Sequence, residues 1–437
     1  MNRKKFYLAL ILFSLIGQVA WVVENMYFNV FIYKMFNASA ADISLMVQAS
    51  AVAATLTTIF IGALSDRLQK RKIFMCLGYI AWGVSILAFA FVRLDLISAL
   101  FGAAASAASV AVTIVIILDC VMTFFGSSAN DAAYNAWLTD CTDETNRGRA
   151  EGINSMMPLI AILVVFGGFM GFDLSAAESW TTIYIVIGAV VLVVGALGFL
   201  LVEDAPAKAP DSLGYLATIL YGFRPAVVRK NSRLYFTLAA FVLFGISIQV
   251  FMPYLIIYYE QTLGMRDYVL IMAPAIVLAA VVTVLFGRLI DARGFRKTVF
   301  LSLAMLAAGY VLLFVFPGVV HVEGFAMKAP VFIGSLLMMS GYLSGMAVFG
   351  AQIRNETPAH MAGRFQGLRI IAQVLIPGVI GPAVGAAILK NAETVLNSDG
   401  TRSFLPSENI FLAALAVELL LAAALGVYFA ARREKKG

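Results

Sequence analysis

Gly62-Ala63-Leu64-Ser65-Asp66-Arg67-Leu68-Gln69-Lys70-Arg71-Lys72 separates two long apolar stretches. The same pattern returns as Gly287-Arg288-Leu289-Ile290-Asp291-Ala292-Arg293-Gly294-Phe295-Arg296-Lys297. Glycine, leucine, aspartate and the closing basic pair each recur 225 residues later. A second echo, 215 residues apart, sets Gly148-Arg149-Ala150-Glu151-Gly152 against Gly363-Arg364-Phe365-Gln366-Gly367. Landmarks that repeat in matching places mark an internal duplication. The chain reads as two related halves, each with a charged hairpin between its second and third apolar segments.

The stretches around these hairpins set the class. Of 437 residues, 62% are hydrophobic and 13% charged, where a soluble domain averages about 45–50% apolar. The charges cluster between runs of roughly 20 apolar residues, long enough to cross a hydrocarbon core about 30 Å thick. We expect an all-α membrane protein with twelve helices, at about 6–33, 43–65, 73–92, 110–138, 149–172, 180–202, 234–259, 267–289, 298–317, 330–352, 364–389 and 408–431. They are numbered helix 1 to helix 12 below. Residues 1–202 and 234–437 form the two six-helix bundles, and the polar segment 203–233 joins them as a cytoplasmic loop. Residues 94–109 read as a weakly apolar outer connection.

Basic residues orient the chain. With both termini inside, 25 of the 31 Lys and Arg fall on the inner side, leaving Lys34, Arg93, Arg266, Lys328, Lys390 and Arg402 outside. That bias predicts cytoplasmic termini in a plasma (cytoplasmic) membrane. It also accounts for the net charge of +6, so no nucleic-acid partner is expected. The run after Asn2-Arg3-Lys4-Lys5 is too long for a signal peptide core. Three cysteines (Cys76, Cys120, Cys141) suggest no disulfide framework. The two histidines, His321 and His360, fall in loops. No nucleophile–base set, metal cluster or phosphate loop is present, so no catalytic residue, metal or cofactor is expected.

The duplicated hairpin, on twelve helices with a central loop, resembles the signature of the major facilitator superfamily. Gln69 stands where that family prefers glycine, and Ala292 where the first copy has Arg67. The resemblance implies an alternating-access transporter, a monomer whose two bundles rock about a midplane substrate site. It also implies that Asp66, Arg67 and Arg71, with Asp291 and Arg296, form a cytoplasmic gate. Asn130-Asp131-Ala132-Ala133-Tyr134-Asn135-Ala136-Trp137-Leu138-Thr139-Asp140 is similar to helix 4 of glycoside–pentoside–hexuronide cation symporters. There an aspartate at the position of Asp131 helps bind the coupling cation. The helix 2 stretch Ala54-Thr55-Leu56-Thr57-Thr58-Ile59 lacks the carboxylates that melibiose-type members carry.

Ionisable groups inside spans are costly, so each is a functional candidate. Gln18, Trp21, Asn25 and Asn29 share one face of helix 1, about 80° wide at 100° per residue, with Glu24 on its flank. Asp119, Thr123, Ser127, Asn130 and Tyr134 share a face of helix 4, with Asp131 at its margin. Such stripes suit a cavity wall, and in the resembling superfamily helices 1 and 4 line the cavity. The plainer reading of the amides and hydroxyls is helix–helix glue. Glu24 and Asp119 lie at similar depth and lack a basic partner within the spans, so they are candidates for proton coupling, with Asp131. Gln249 on helix 7 matches Glu24 at the 225-residue spacing, and Tyr254 adds an aromatic hydroxyl. Pro377-Gly378-Val379-Ile380-Gly381-Pro382 on helix 11 reads either as close packing with a kink or as a flexible gating helix.

The expected function is secondary transport of a small polar solute, a sugar or glycoside, by symport with a cation, a proton before sodium. The substrate would meet Gln18, Trp21, Asn25, Asn29, Thr123, Asn130, Gln249 and Tyr254. Proton-coupled export of organic cations or drugs is one alternative. A non-transporting membrane sensor is another.

Overall fold

The computed structural model describes residues 3–101, 104–143, 146–204, 220–316, 325–357, 362–397 and 400–434. Twelve helices among them are long and apolar enough to span a membrane: Arg3–Phe36, Ala40–Ser65, Arg71–Phe89, Ala107–Asp140, Gly148–Phe169, Ala177–Leu201, Ser232–Thr262, Val269–Ile290, Ala292–Val315, Lys328–Glu356, Gly367–Leu389 and Asn409–Ala431. Large apolar side chains stay exposed along them, such as Leu56, Val84, Ile117, Val284 and Val427. A bilayer tolerates that surface, and a helix satisfies its own backbone in lipid.

Two connections carry structure of their own. The outer connection 94–109 holds a short helix, Leu94–Phe101, and the next helix begins at Ala104. An antiparallel hairpin, Thr394–Leu396 (β1) with Arg402–Phe404 (β2), joins helices 11 and 12. Both lie where polar or glycine residues dilute the apolar signal, so periodicity is uninformative there. His321 and His360 fall outside the described residues.

The chain divides into two compact units, Met1–Tyr221 and Gly222–Gly437. In the first, helix 1 ends where Asn37 turns left-handed (φ 51°). Ser39 and Asp42 then form a reciprocal capping box that starts helix 2, satisfying N–H groups otherwise left open. Helices 3 and 6 meet through small residues. A Cβ on Gly83 would sit 2.6 Å from the Leu192 nitrogen, and one on Gly195 2.7 Å from that of Ile80. In lipid, where apolar burial drives little association, such close approach supplies the packing energy.

In the second unit helix 11 packs tightly on helix 7. Gly245 receives the Pro377 ring, and a Cβ on Gly381 would lie 2.4 Å from that of Gln249. Pro377 has no N–H to give, and the turn before it widens into a π-helix, Ile371–Leu375. Of the two readings of the proline–glycine run, this geometry is close packing with a local distortion.

The repeated hairpins share one backbone feature. Gln69 is left-handed (φ 52°, ψ 27°) at the end of helix 2. Its counterpart, Gly294, has φ 69° and ψ 173° and breaks the otherwise continuous run Val269–Val315. The Gly294 conformation is accessible essentially only to glycine. Gln69 occupies a region that costs a side chain about 1–2 kcal/mol. In the first hairpin Arg71 is buried, its Nε 3.1 Å from Asp140 Oδ2 and its Nη1 donating to Ser65 at 2.7 Å. The Lys72 amide donates to Asp204 at 2.7 Å and Trp137 Nε1 to the Glu203 carbonyl at 2.9 Å. The hairpin is thus anchored to the end of helix 4 and to the chain leaving helix 6.

Gly294→Ala should destabilise the protein by about 1–3 kcal/mol. Gln69→Gly should be neutral or stabilising by up to about 1 kcal/mol. Thermal unfolding in detergent measures both. A Gly294→Ala protein as stable as the parent would contradict the strained hairpin.

Candidate functional site

The helix 1 and helix 4 polar stripes converge inside the first unit, and local backbone distortion aims them. Both helices leave regular α geometry at their polar residues, as π-helices Val23–Tyr27 and Ser127–Tyr134. Such widened turns shift the face presented by the residues within them and recur at functional sites.

Glu24 is 7% exposed and Asp119 2% exposed. The hydroxyl oxygens of Ser50 on helix 2 and Thr123 on helix 4 each lie within hydrogen-bond distance of Glu24 Oε1, at 2.8 Å, and of each other, also at 2.8 Å. The second carboxyl oxygen of Glu24 and Oδ1 of Asp119 are buried without a hydrogen-bond partner. Asp119 lies close enough to Glu24 and Ser50 to interact with both, and Tyr184 of helix 6 interacts with Asp119 electrostatically. Among the described residues, neither carboxyl is ion-paired. An ionised carboxylate buried without a cation or a full set of donors is strongly disfavoured. Asp131 is half-buried, accepts from Ser127 at 2.9 Å and faces Glu24 electrostatically.

A second network fastens the stripes together. Asn130 donates to the Tyr79 hydroxyl at 2.7 Å, which donates to the Phe13 carbonyl at 2.6 Å. Its Oδ1 accepts from Trp21 Nε1 at 3.3 Å. Gly17 makes room for this amide, since a Cβ there would lie 2.3 Å from Asn130 Nδ2 and 2.4 Å from the Tyr79 oxygen. Further along, Ser14 and Tyr134 both donate to Asn154 Oδ1, at 2.6 and 2.8 Å. Trp21 stacks obliquely on Trp82 with centroids 5.0 Å apart. Gly126 permits that pairing, because a Cβ on it would meet both rings within 2.9 Å.

The predicted residues therefore separate by role. Glu24, Asp119 and Thr123 form one cluster with Ser50. Trp21 and Asn130 hold helices 1, 3 and 4 together. The amides of Asn25 and Asn29 each donate to their own helix, to the Trp21 carbonyl at 2.8 Å and the Asn25 carbonyl at 3.1 Å. Asn25 is exposed and Gln18 half-buried. In the second unit, Gln249 is half-buried and its backbone abuts Gly381. Tyr254 is fully buried and donates to the Pro382 carbonyl at 3.3 Å, a packing role. Of the gate residues, Arg71 is engaged within its own unit, Arg67 is exposed, and the exposed Arg296 lies 5.4 Å from the Phe429 ring. The side chains of Asp66 and Asp291 fall outside the described residues.

Periodicity missed Ser50, Tyr79, Asn154 and Tyr184, none of which belongs to a polar stripe running the length of its helix. It also passed over Glu418 on helix 12, which the cost of a charge within a span would have flagged. A cavity of about 300 Å³ lies away from the cluster, lined by residues including Phe31, Phe89, Arg93, Asp95 and Trp180. No member of the Glu24–Asp119 cluster lines it. At its rim Arg93 Nε sits 3.1 Å from Asp95 Oδ1, and that hydrogen-bonded contact holds the exposed Asp95 carboxyl below the usual aspartate range.

Comparison with known proteins adds to this picture. The sequence profile of the Major Facilitator Superfamily matches residues 6–382. Among solved structures, a single-residue variant of the nucleoside transporter NupG is 12% identical, covering 97% of this chain and 99% of its own, with a TM-score of 0.72. A bacterial homolog of the human lysosomal transporter Spinster, inward-facing and unoccupied, is 16% identical over 99% of this chain and 98% of its own, with a TM-score of 0.65. At these identities the likeness is one of fold. No curated protein matches the sequence.

Gly17→Ala drives a methyl into the Asn130–Tyr79 bond and should cost about 1–3 kcal/mol of stability. Asn25→Ala, which removes an exposed amide bonded to its own helix, should stay within about 0.5 kcal/mol. Thermal unfolding of the two variants in the same detergent separates them. Equal losses would contradict this division of roles.

Proposed function

Since the chain belongs to the major facilitator superfamily and is a transporter of that family, we propose that it carries a small polar solute, a sugar or glycoside, in symport with a proton bound at Glu24. One observation carries the proton reading. The oxygens of Glu24, Ser50 and Thr123 form a triangle with three contacts of 2.8 Å. Three hydrogen bonds need three protons, and each hydroxyl owns one. The third belongs to the carboxyl group, so the triangle suits a neutral Glu24 acid. Asp119, reached across Ser50, is the second carboxyl in the relay, and Asp131 the third. Release requires a rearrangement that offers the carboxylate other donors or water, which is how proton loss becomes tied to a change of conformation.

The solute reading rests on the partly accessible end of the same face. Half-buried Trp21, braced by Trp82, presents an aromatic surface beside Gln18 and Asn25. The C–H face of a sugar ring packs on such a surface while amides meet its hydroxyls, the usual mix of apolar wall and few polar groups. A nucleoside is itself an N-glycoside, so the fold neighbour NupG transports a solute of the same broad class. Enclosure of Glu24 and Asp119 by helix and hydroxyl favours a proton over an organic cation, which would need an open carboxylate. The hairpin residues Asp66, Arg67 and Arg71, with Asp291 and Arg296, complete the proposal as a cytoplasmic latch.

In proteoliposomes a one-unit pH gradient should drive about tenfold accumulation of a solute carried with one proton. A panel of sugars and nucleosides identifies the solute. Glu24→Gln should reduce the accumulation ratio to about one while leaving solute exchange across the membrane intact. Gradient-driven accumulation undiminished in both Glu24→Gln and Asp119→Asn would remove the proton from these carboxyls, and uptake driven by a sodium gradient but not by a pH gradient would replace the proton with sodium.

Thr123→Ala combined with Glu24→Gln in a double-mutant cycle should show a coupling of about 0.5–3 kcal/mol in unfolding free energy. A coupling near zero would remove the triangle from the argument.

A further inference from the structure

The second unit holds a buried carboxyl that the mechanism above does not use. Glu418 on helix 12 is 2% exposed, and neither of its oxygens has a hydrogen-bond partner. Among the described residues it is the one buried acidic side chain of that unit. Helix 12 packs against helices 7, 8 to 9 and 11, and among the described residues of those helices Tyr310 of helix 9 interacts electrostatically with Glu418. The Tyr310 hydroxyl lies 3.1 Å from Ser247 of helix 7, and Ser247 donates to the Ala414 carbonyl at 2.9 Å, one turn before Glu418. A carboxylate ion in this setting would have neither a cation nor a donor, a cost that buried charges avoid by binding a proton or a counter-charge.

We propose that Glu418 is a proton-binding site of the second unit, separate from Glu24, with Tyr310 and Ser247 as its hydroxyl relay. In the arrangement described, the Glu418 acid keeps its O–H bond. On release that bond breaks, the proton passes to solvent, and the Tyr310 hydroxyl turns to donate to the new carboxylate. Ser247, with one proton, keeps donating to the Ala414 carbonyl while Tyr310 turns, so the helix contact holds and the Tyr310–Ser247 hydrogen bond is given up. The site stands whether or not Glu24 couples transport, because its residues belong to a different unit.

Infrared difference spectroscopy of the purified full-length protein against pH tests this. The expected result is a protonated-carboxyl C=O band that persists at neutral pH, disappears on alkalinisation and is missing in Glu418→Gln. Glu24→Gln and Asp119→Asn should retain it. Spectra of Glu418→Gln that superimpose on the parent at every pH would overturn the proposal. So would a Glu418 band unchanged across the whole range in which the protein stays folded, since that is a locked structural acid. Should Glu418→Gln fail to fold, Glu418→Asp keeps the acid and moves it by one methylene. An unshifted band in that variant overturns the assignment equally.

Discussion

A carboxylate in a helix bundle without a cation beside it must bind a proton or find donors, and the first unit is built around that constraint. Glu24 and Asp119 are buried, and among the described residues no lysine or arginine pairs with them. Around Glu24 the chain gathers Ser50, Thr123 and two widened helical turns. Two hydroxyls on one carboxyl oxygen stabilise either protonation state only in part. The site is left sensitive to small changes in helix position, which is a useful property for coupling a proton to movement.

Amides and tryptophans of the same stripes do a different job. The Asn130–Tyr79–Phe13 chain and the Trp21–Trp82 pair tie helices 1, 3 and 4 together. Gly17 and Gly126 supply the necessary space. Polar residues in a membrane thus serve packing and chemistry on a single face. Hydrogen-bond partners distinguish the two uses, whereas residue type does not.

The hairpins that carry the repeated motif have unequal backbones. Gly294 occupies a conformation essentially reserved for glycine, while Gln69 accepts a left-handed turn at some cost. Around the first hairpin, Arg71, Asp140, Ser65 and Asp204 close hydrogen bonds and an ion pair that hold four helix ends together.

Apolar run length determined the membrane class, the twelve spans and most of their ends to within about three residues, since a bilayer of given thickness needs a helix of given length. The hairpin repeat determined the two-fold plan. Periodicity also placed Glu24, Asp119 and Thr123 on facing stripes, because each lies on a helix whose polar positions recur at its own pitch. Tertiary structure alone decided which of these residues meet. Ser50, Tyr79 and Asn154 join no long polar stripe on their helices, and a contact between helices leaves no period in either one. The π-turns at Val23–Tyr27 and Ser127–Tyr134 reset the helical phase, so angles counted at 100° per residue no longer say where a side chain points. Glu418 shows the reverse case, a charge legible from its cost inside a span, whose buried, unpartnered setting only the packing of helices 7, 9 and 12 decides.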